Sequence, residues 1–130
     1  MLYAILCYHD EQYAWSRPKE EEAAVMGGLA KVQEALVREG KLGPTLRLMP
    51  TTAATTLCKS KDLVLDGPFA ETKEQLLGLY VVDVDNLEAA LEVARRLAKA
   101  NPGGSYELRP IAKFNPDPRE APHREVSVAE

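Results

Sequence analysis

Leu76-Leu77-Gly78-Leu79-Tyr80-Val81-Val82-Asp83-Val84 decides how the chain is read. Apolar residues fall on both parities of this run, so both faces of the strand need cover and it belongs in the middle of a sheet. Asp85-Asn86-Leu87-Glu88 follows and reads as a capping box, with Asp85 as N-cap and Glu88 three residues on. Leu87, Ala90, Leu91, Ala94 and Leu97 then recur with helical period. Arg95, Arg96 and Lys99 load the end where the helix dipole favours cations. Asn101-Pro102-Gly103-Gly104 stops the helix. Ser105-Tyr106-Glu107-Leu108-Arg109 alternates polar and apolar residues as a last, amphipathic strand.

Upstream, residues 2–8 read as a first strand that stops at His9-Asp10-Glu11, and residues 9–17 as a polar, aromatic loop. Pro18 opens a helix, where its missing N–H is harmless, and Glu20, Glu21 and Glu22 sit at the positive end of the dipole. Val25, Leu29, Val32 and Leu36 form the apolar stripe, and Gly40 ends the helix. Gly27-Gly28 inside it is explained by a close backbone approach or by a local kink. Residues 41–52 are turn-rich, with Gly43-Pro44 and Pro50. Residues 53–65 hold two β-like runs, Ala54–Cys58 and Leu63–Leu65, whose polar link suits a hairpin turn or a bulge.

The order is β-α-β-β-α-β, which predicts an α+β, ferredoxin-like fold: a four-stranded antiparallel sheet with two helices on one face. The other sheet face is bare while its central strand is apolar on both sides, which predicts a second copy of the chain as partner. The domain is expected over residues 1–114. A proline-rich tail follows over 115–130, where Pro116, Pro118 and Pro122 fall and His123 carries little weight.

Composition narrows the function. The 130 residues suit one domain. Sixteen Lys and Arg against twenty Asp and Glu give a net charge of −4 with mixed signs. That argues against a nucleic-acid partner, which needs a concentrated basic face. The chain carries no apolar run of membrane length and no signal-peptide pattern, so a cytoplasmic protein with no membrane partner is expected. Cys7 and Cys58 lie far apart and read as reduced thiols in strands. Two histidines spread over the chain predict no metal site, and the lack of a phosphate loop or dinucleotide fingerprint predicts no cofactor.

Two segments carry candidate chemistry. Four of the eight aromatic residues, Tyr3, Tyr8, Tyr13 and Trp15, cluster in the first fifteen positions around His9, whose charge changes near neutral pH. Asp66-Gly67-Pro68-Phe69-Ala70-Glu71-Thr72-Lys73-Glu74 is the other. A permissive glycine and a rigid proline hold the Asp66 carboxylate at a strand end, Phe69 is the expected anchor, and Glu71, Thr72 and Lys73 add charges and a hydroxyl. The alternative is a structural bend in which Asp66 caps its own backbone. A carboxylate that meets an imidazole makes a general acid/base pair. The catalytic candidates are therefore Asp66 and His9, and the substrate-binding candidates Tyr8, Tyr13, Trp15, Phe69, Glu71, Thr72 and Lys73.

The run from Asp66 to Leu76 resembles the signature of the DGPF-domain proteins, a branch of the YciI-like (YCII-related) family. Tyr8-His9-Asp10-Glu11 and Leu79–Val84 are similar to that family too. The resemblance covers about residues 1–112. It implies a dimeric α/β barrel in which two sheets face each other, similar in fold to muconolactone isomerase and to small dimeric-barrel monooxygenases. It also implies a His–Asp pair of the kind used by a branch that dechlorinates a muconate-like acid; in the YciI branch that histidine lies in the helical region, whereas His9 ends the first strand. Genes of the DGPF-type members often lie near those of extracytoplasmic-function sigma factors, so the resemblance implies a regulatory setting. Three functions are thereby expected to compete. One is a small enzyme acting on a small organic acid with Asp66, joined by His9, as general acid/base. Another is a non-catalytic ligand-sensing or partner-binding module, which predicts an apolar pocket with no convergent titratable groups. The third is a structural scaffold.

Overall fold

A computed structural model describes residues 1–116. The apolar run around Tyr80 forms β5 (Gln75–Asp83), and the N-terminal run forms β1 (Leu2–His9). These two pair antiparallel in the middle of a four-stranded sheet. The amphipathic last strand, β6 (Ser105–Pro110), closes the far side of β1, and β2 (Leu42–Arg47) closes the far side of β5. The order β2-β5-β1-β6, antiparallel throughout, is consistent with a ferredoxin-like arrangement.

Two long helices cover one face of this sheet: α2 (Lys19–Arg38) and α3 (Leu87–Ala100). Side chains alternate across a strand, so Tyr3, Ile5, Val82 and Val84 point at the helices. There they pack with Val25, Leu29 and Leu36 of α2 and Ala90, Val93, Ala94 and Leu97 of α3. Ile5, Leu36, Val82, Val93 and Leu97 are fully buried, each worth roughly 1.5–3 kcal/mol of transfer free energy. Asn86, one residue later than expected, is the N-cap of α3, its side-chain oxygen accepting the Ala89 N–H at 2.9 Å. In α2 the glycine pair resolves into two different residues. A Cβ at Gly28 would lie 3.2 Å from that of Ala100, so this glycine lets α2 and α3 approach, whereas Gly27 faces open space.

Three departures from the sequence reading matter for the site. A short helix, α1 (Glu11–Trp15), interrupts the expected loop; Asp10 caps it by accepting the Gln12 N–H at 3.0 Å. The second strand of the sheet is β2, inside the turn-rich segment. Its register shifts between Leu42 and Thr45, which accommodates Gly43-Pro44 on an edge strand where a missing N–H is tolerated. The two β-like runs of residues 53–65, β3 (Thr55–Cys58) and β4 (Leu63–Asp66), pair with each other as a separate two-stranded ribbon. Among the described residues the α-helices thus number three, one more than expected. The expected tail lies almost wholly outside the described residues, and His123 with it.

On the other face of the sheet, Ala4, Leu6, Leu79 and Leu46 line up, Leu46 being exposed.

Candidate functional site

The core ends at Cys7. Beyond it the helix-facing side of the sheet offers a thiol on β1 and, directly opposite on β5, Gly78. Small side chains leave space there, and a cavity of about 330 Å³ opens between the sheet and α2. Gly78 cannot be larger, because a Cβ would sit 2.2 Å from the Leu46 carbonyl oxygen of β2. The sheet contributes Cys7, Tyr80, Tyr106 and the Thr45–Arg47 edge to the lining. α2 contributes Met26, Leu29 and Gln33, and Ala14, Arg17 and Asn101 close the end.

Burial sets the protonation of this lining. Desolvation pushes the Cys7 thiol up from 9.0 to about 12, so it stays a neutral thiol at physiological pH. Desolvation first, with the neighbouring Cys7 adding to it, raises the phenols of Tyr80 and Tyr106. The two guanidinium groups, Arg17 and Arg47, carry the fixed charge.

Arg17 is the unusual member. It joins α1 to α2, and its side chain is only 5% exposed. One Nη donates to the Asn101 Oδ1 at 3.0 Å, and the other lies 3.9 Å from the Glu22 Oε1. Its Nε is buried with no hydrogen-bond partner, and so are the Glu22 Oε1 and the Tyr106 hydroxyl. The Tyr106 hydroxyl lies near enough to feel the Asn101 amide and the Arg17 charge but makes no hydrogen bond of normal geometry with either.

The expected site residues separate into two groups. The aromatic cluster frames this end of the molecule. Tyr13 stacks on His9 with ring centroids 5.2 Å apart, carries the Arg17 guanidinium 5.6 Å above its ring, and donates its hydroxyl to Glu21. Trp15 is partly exposed and lies under the Arg47 guanidinium at 4.4 Å. Tyr8 pairs with Leu76 and Ser105 just past a register shift in β1. The His9 Nδ1 accepts the Asp10 N–H at 2.7 Å. The Gly103-Gly104 turn lies against its ring and the Tyr8 carbonyl: both glycines have positive φ, and a Cβ on Gly104 would come within 2.2 Å of the Tyr8 oxygen.

The second group sits on the ribbon. Asp66 ends β4 opposite Thr55 and is exposed. Gly67 turns with φ +105° while its N–H bonds the Ala54 carbonyl and its own carbonyl accepts the Thr56 hydroxyl. Phe69, expected to anchor the loop, is 90% exposed. Glu71 and Lys73 are exposed, and the Thr72 hydroxyl bonds the Glu74 carbonyl. Asp66 and His9 thus stand on strands of different sheets, and the partners described for His9 do not include Asp66.

The two groups are tied through Gln75. Its Nε2 donates to the Thr72 carbonyl and its Oε1 accepts the Glu11 N–H at 3.0 Å. Glu11 in turn accepts from the Thr51 N–H at 2.9 Å and from the Thr51 hydroxyl. The end of the Asp66–Gln75 run therefore holds α1, whose Ala14 lines the cavity and which leads into Arg17. Sequence reasoning missed Arg17, Asn101 and Tyr106. Alternation in β6 puts Tyr106 on the same side as core-facing Leu108, which marks a polar tip aimed inward.

The fold and the cavity define an α+β protein with a small, mostly apolar internal site beside a buried arginine. Residues 1–115 match the YCII-related domain, and the chain belongs to that family. It is 56% identical over 119 residues to an uncharacterized protein of Rhizobium meliloti (strain 1021), an alignment that spans 89% of this chain and 96% of the relative. Among the described residues, no helix is long and apolar enough to cross a membrane, and no cluster of His, Cys, Asp and Glu is placed to hold a metal ion.

Proposed function

We propose that the chain is a ligand-binding module whose cavity between α2 and the sheet takes up a small, mainly apolar molecule. The observation that carries this reading is the chemistry of the lining: apolar side chains, a thiol and two phenols held neutral by burial, and two guanidinium groups. Such a lining recognises and encloses but supplies no base for proton abstraction. The volume of about 330 Å³ lies at the small end of ligand pockets, which run from about 300 to 1,000 Å³. Filling the cavity tests the reading. Leu29→Trp is expected to abolish uptake of a small aromatic probe by calorimetry while leaving Asp66→Asn at wild-type affinity. Uptake that survives Leu29→Trp and falls with Asp66→Asn contradicts it.

A second reading is supported by the ribbon. Leu57, Leu63, Val64, Leu65 and Phe69 are all exposed, and the open sheet face presents Leu6, Leu46 and Leu79. Apolar surface of this kind favours a homodimer. In a dimer the ribbon of one chain would approach its partner, and Asp66, with or without His9, would then act as an acid/base on a small organic acid. Light scattering that finds a dimer in the native chain and a monomer in Val64→Glu supports this assembly, and a monomeric native chain removes it.

A further inference from the structure

We infer that the Arg17 end of the cavity is an anion subsite, where the Arg17 guanidinium and the Tyr106 hydroxyl take the carboxylate of a small organic acid whose apolar body lies beside Leu29. This rests on the ligand-binding reading and specifies what the ligand carries.

Buried polar groups in folded proteins are almost always hydrogen-bonded. Here two donors close to one another, the Arg17 Nε and the Tyr106 hydroxyl, have no partner. The Arg17 charge is withdrawn from water, with 5% of its side chain exposed, and its one good hydrogen bond goes to a neutral amide, the Asn101 Oδ1. The Glu22 carboxylate makes a long ion pair with Arg17 at 3.9 Å, beyond hydrogen-bond reach, and that oxygen has no hydrogen-bond partner. Arg17 lines the cavity with an Nε that has no partner, and a planar guanidinium and a carboxylate match in geometry as well as charge. The neutral Tyr106 hydroxyl can donate to a carboxylate. The rest of the lining, with Leu29 and Met26 on α2 and Cys7 on β1, selects an apolar body.

The test uses the full chain and matched probes that differ only in charge: phenylacetate, benzoate and hexanoate, each against its amide, titrated by calorimetry at pH 7. Each acid is expected to bind at least about tenfold more tightly than its amide, the scale of one charge-assisted hydrogen bond. Arg17→Gln is expected to erase that ratio and Arg17→Lys to keep part of it. Glu22→Gln is expected to raise acid affinity by removing a competing carboxylate, and this gain stands as evidence even where Arg17→Gln fails to fold. Acids and amides that bind the cavity equally overturn the anion subsite and leave the cavity reading standing. If no member of the panel binds at millimolar concentration, both readings fall. Acid affinity that is unchanged in Glu22→Gln and in Arg17→Lys also overturns the subsite.

Discussion

The four-stranded sheet with its helices and the β3–β4 ribbon are built on opposite principles. In the first, the strands put one face against the helices, and Ile5, Leu36, Val82, Val93 and Leu97 are wholly buried. In the second, β4 is exposed along its length and its apolar side chains point outward. The ribbon carries the most distinctive motif of the sequence, yet the cavity belongs to the sheet. The conspicuous run of residues and the cavity are therefore separate features here, joined through Gln75, which ties Thr72 to α1.

Stability separates the two regions most strongly. Leu97→Ala empties a fully buried position of α3 and is expected to remove about 2–5 kcal/mol of unfolding free energy. Phe69→Ala, at 90% exposure, is expected to change it by less than about 0.5 kcal/mol. Urea denaturation at low protein concentration measures both. A large loss at Phe69 would erase the contrast and make the ribbon part of a packed assembly.

Gly78→Ala comes next. Its Cβ would meet the Leu46 carbonyl at 2.2 Å, so β2 must move, and crowding of this kind costs about 1–3 kcal/mol. Hydrogen exchange is expected to quicken along β2 and to leave the β3–β4 amides unchanged. Equal quickening in the ribbon would mean that the two regions unfold together.

The thiols give a finer comparison, one in each region. Cys7 lines the cavity and Cys58 ends β3. In a Cys58→Ser chain, Cys7 is expected to react with a disulfide reagent at pH 8 far more slowly than in urea, because burial raises it from 9.0 to about 12 and the thiolate is the nucleophile. The neutral thiol favours the fold, so its contribution is complete below pH 9 and is lost as pH rises towards 12. Native labelling as fast as unfolded labelling would show that the cavity is open to water.

The smallest effect lies on the surface of the helical layer. Arg96 grips Glu39 with two hydrogen bonds of 2.9 and 2.8 Å and Lys41 adds a third contact, which lowers the Glu39 carboxyl from 4.5 to about 2. This contribution is present above pH 4.5 and is lost as pH falls through 2. Glu39→Gln is expected to flatten the acid limb of the stability profile slightly, and an unchanged limb would mean that the pair is screened away.

The legible parts of the fold were those written in long patterns. β5 was readable because its apolar residues fall on both parities, and α3 because Leu87, Ala90, Ala94 and Leu97 keep helical period. β2 was not, since Gly43-Pro44 signals a turn unless an edge strand with a bulge absorbs it. α1 is five residues long and exists through the Asp10 cap and the Glu11–Thr51 contacts, which no periodicity records. The ribbon strands were recognisable as β, but nothing local says that they pair with each other instead of joining the sheet. The cavity was hidden for a related reason. Cys7, Arg17, Leu29, Gly78, Asn101 and Tyr106 come from separate elements and share no spacing, so only the fold brings them together.

The proposed ligand sits in the sheet-and-helix region, beside Arg17. An amide and side-chain chemical-shift map of the full chain titrated with phenylacetate tests this directly. The expected result is a contiguous set of shifts at Cys7, Arg17, Leu29, Gln33, Asn101 and Tyr106, with Asp66 to Lys73 silent. Shifts confined to Asp66, Phe69 and their neighbours would contradict it.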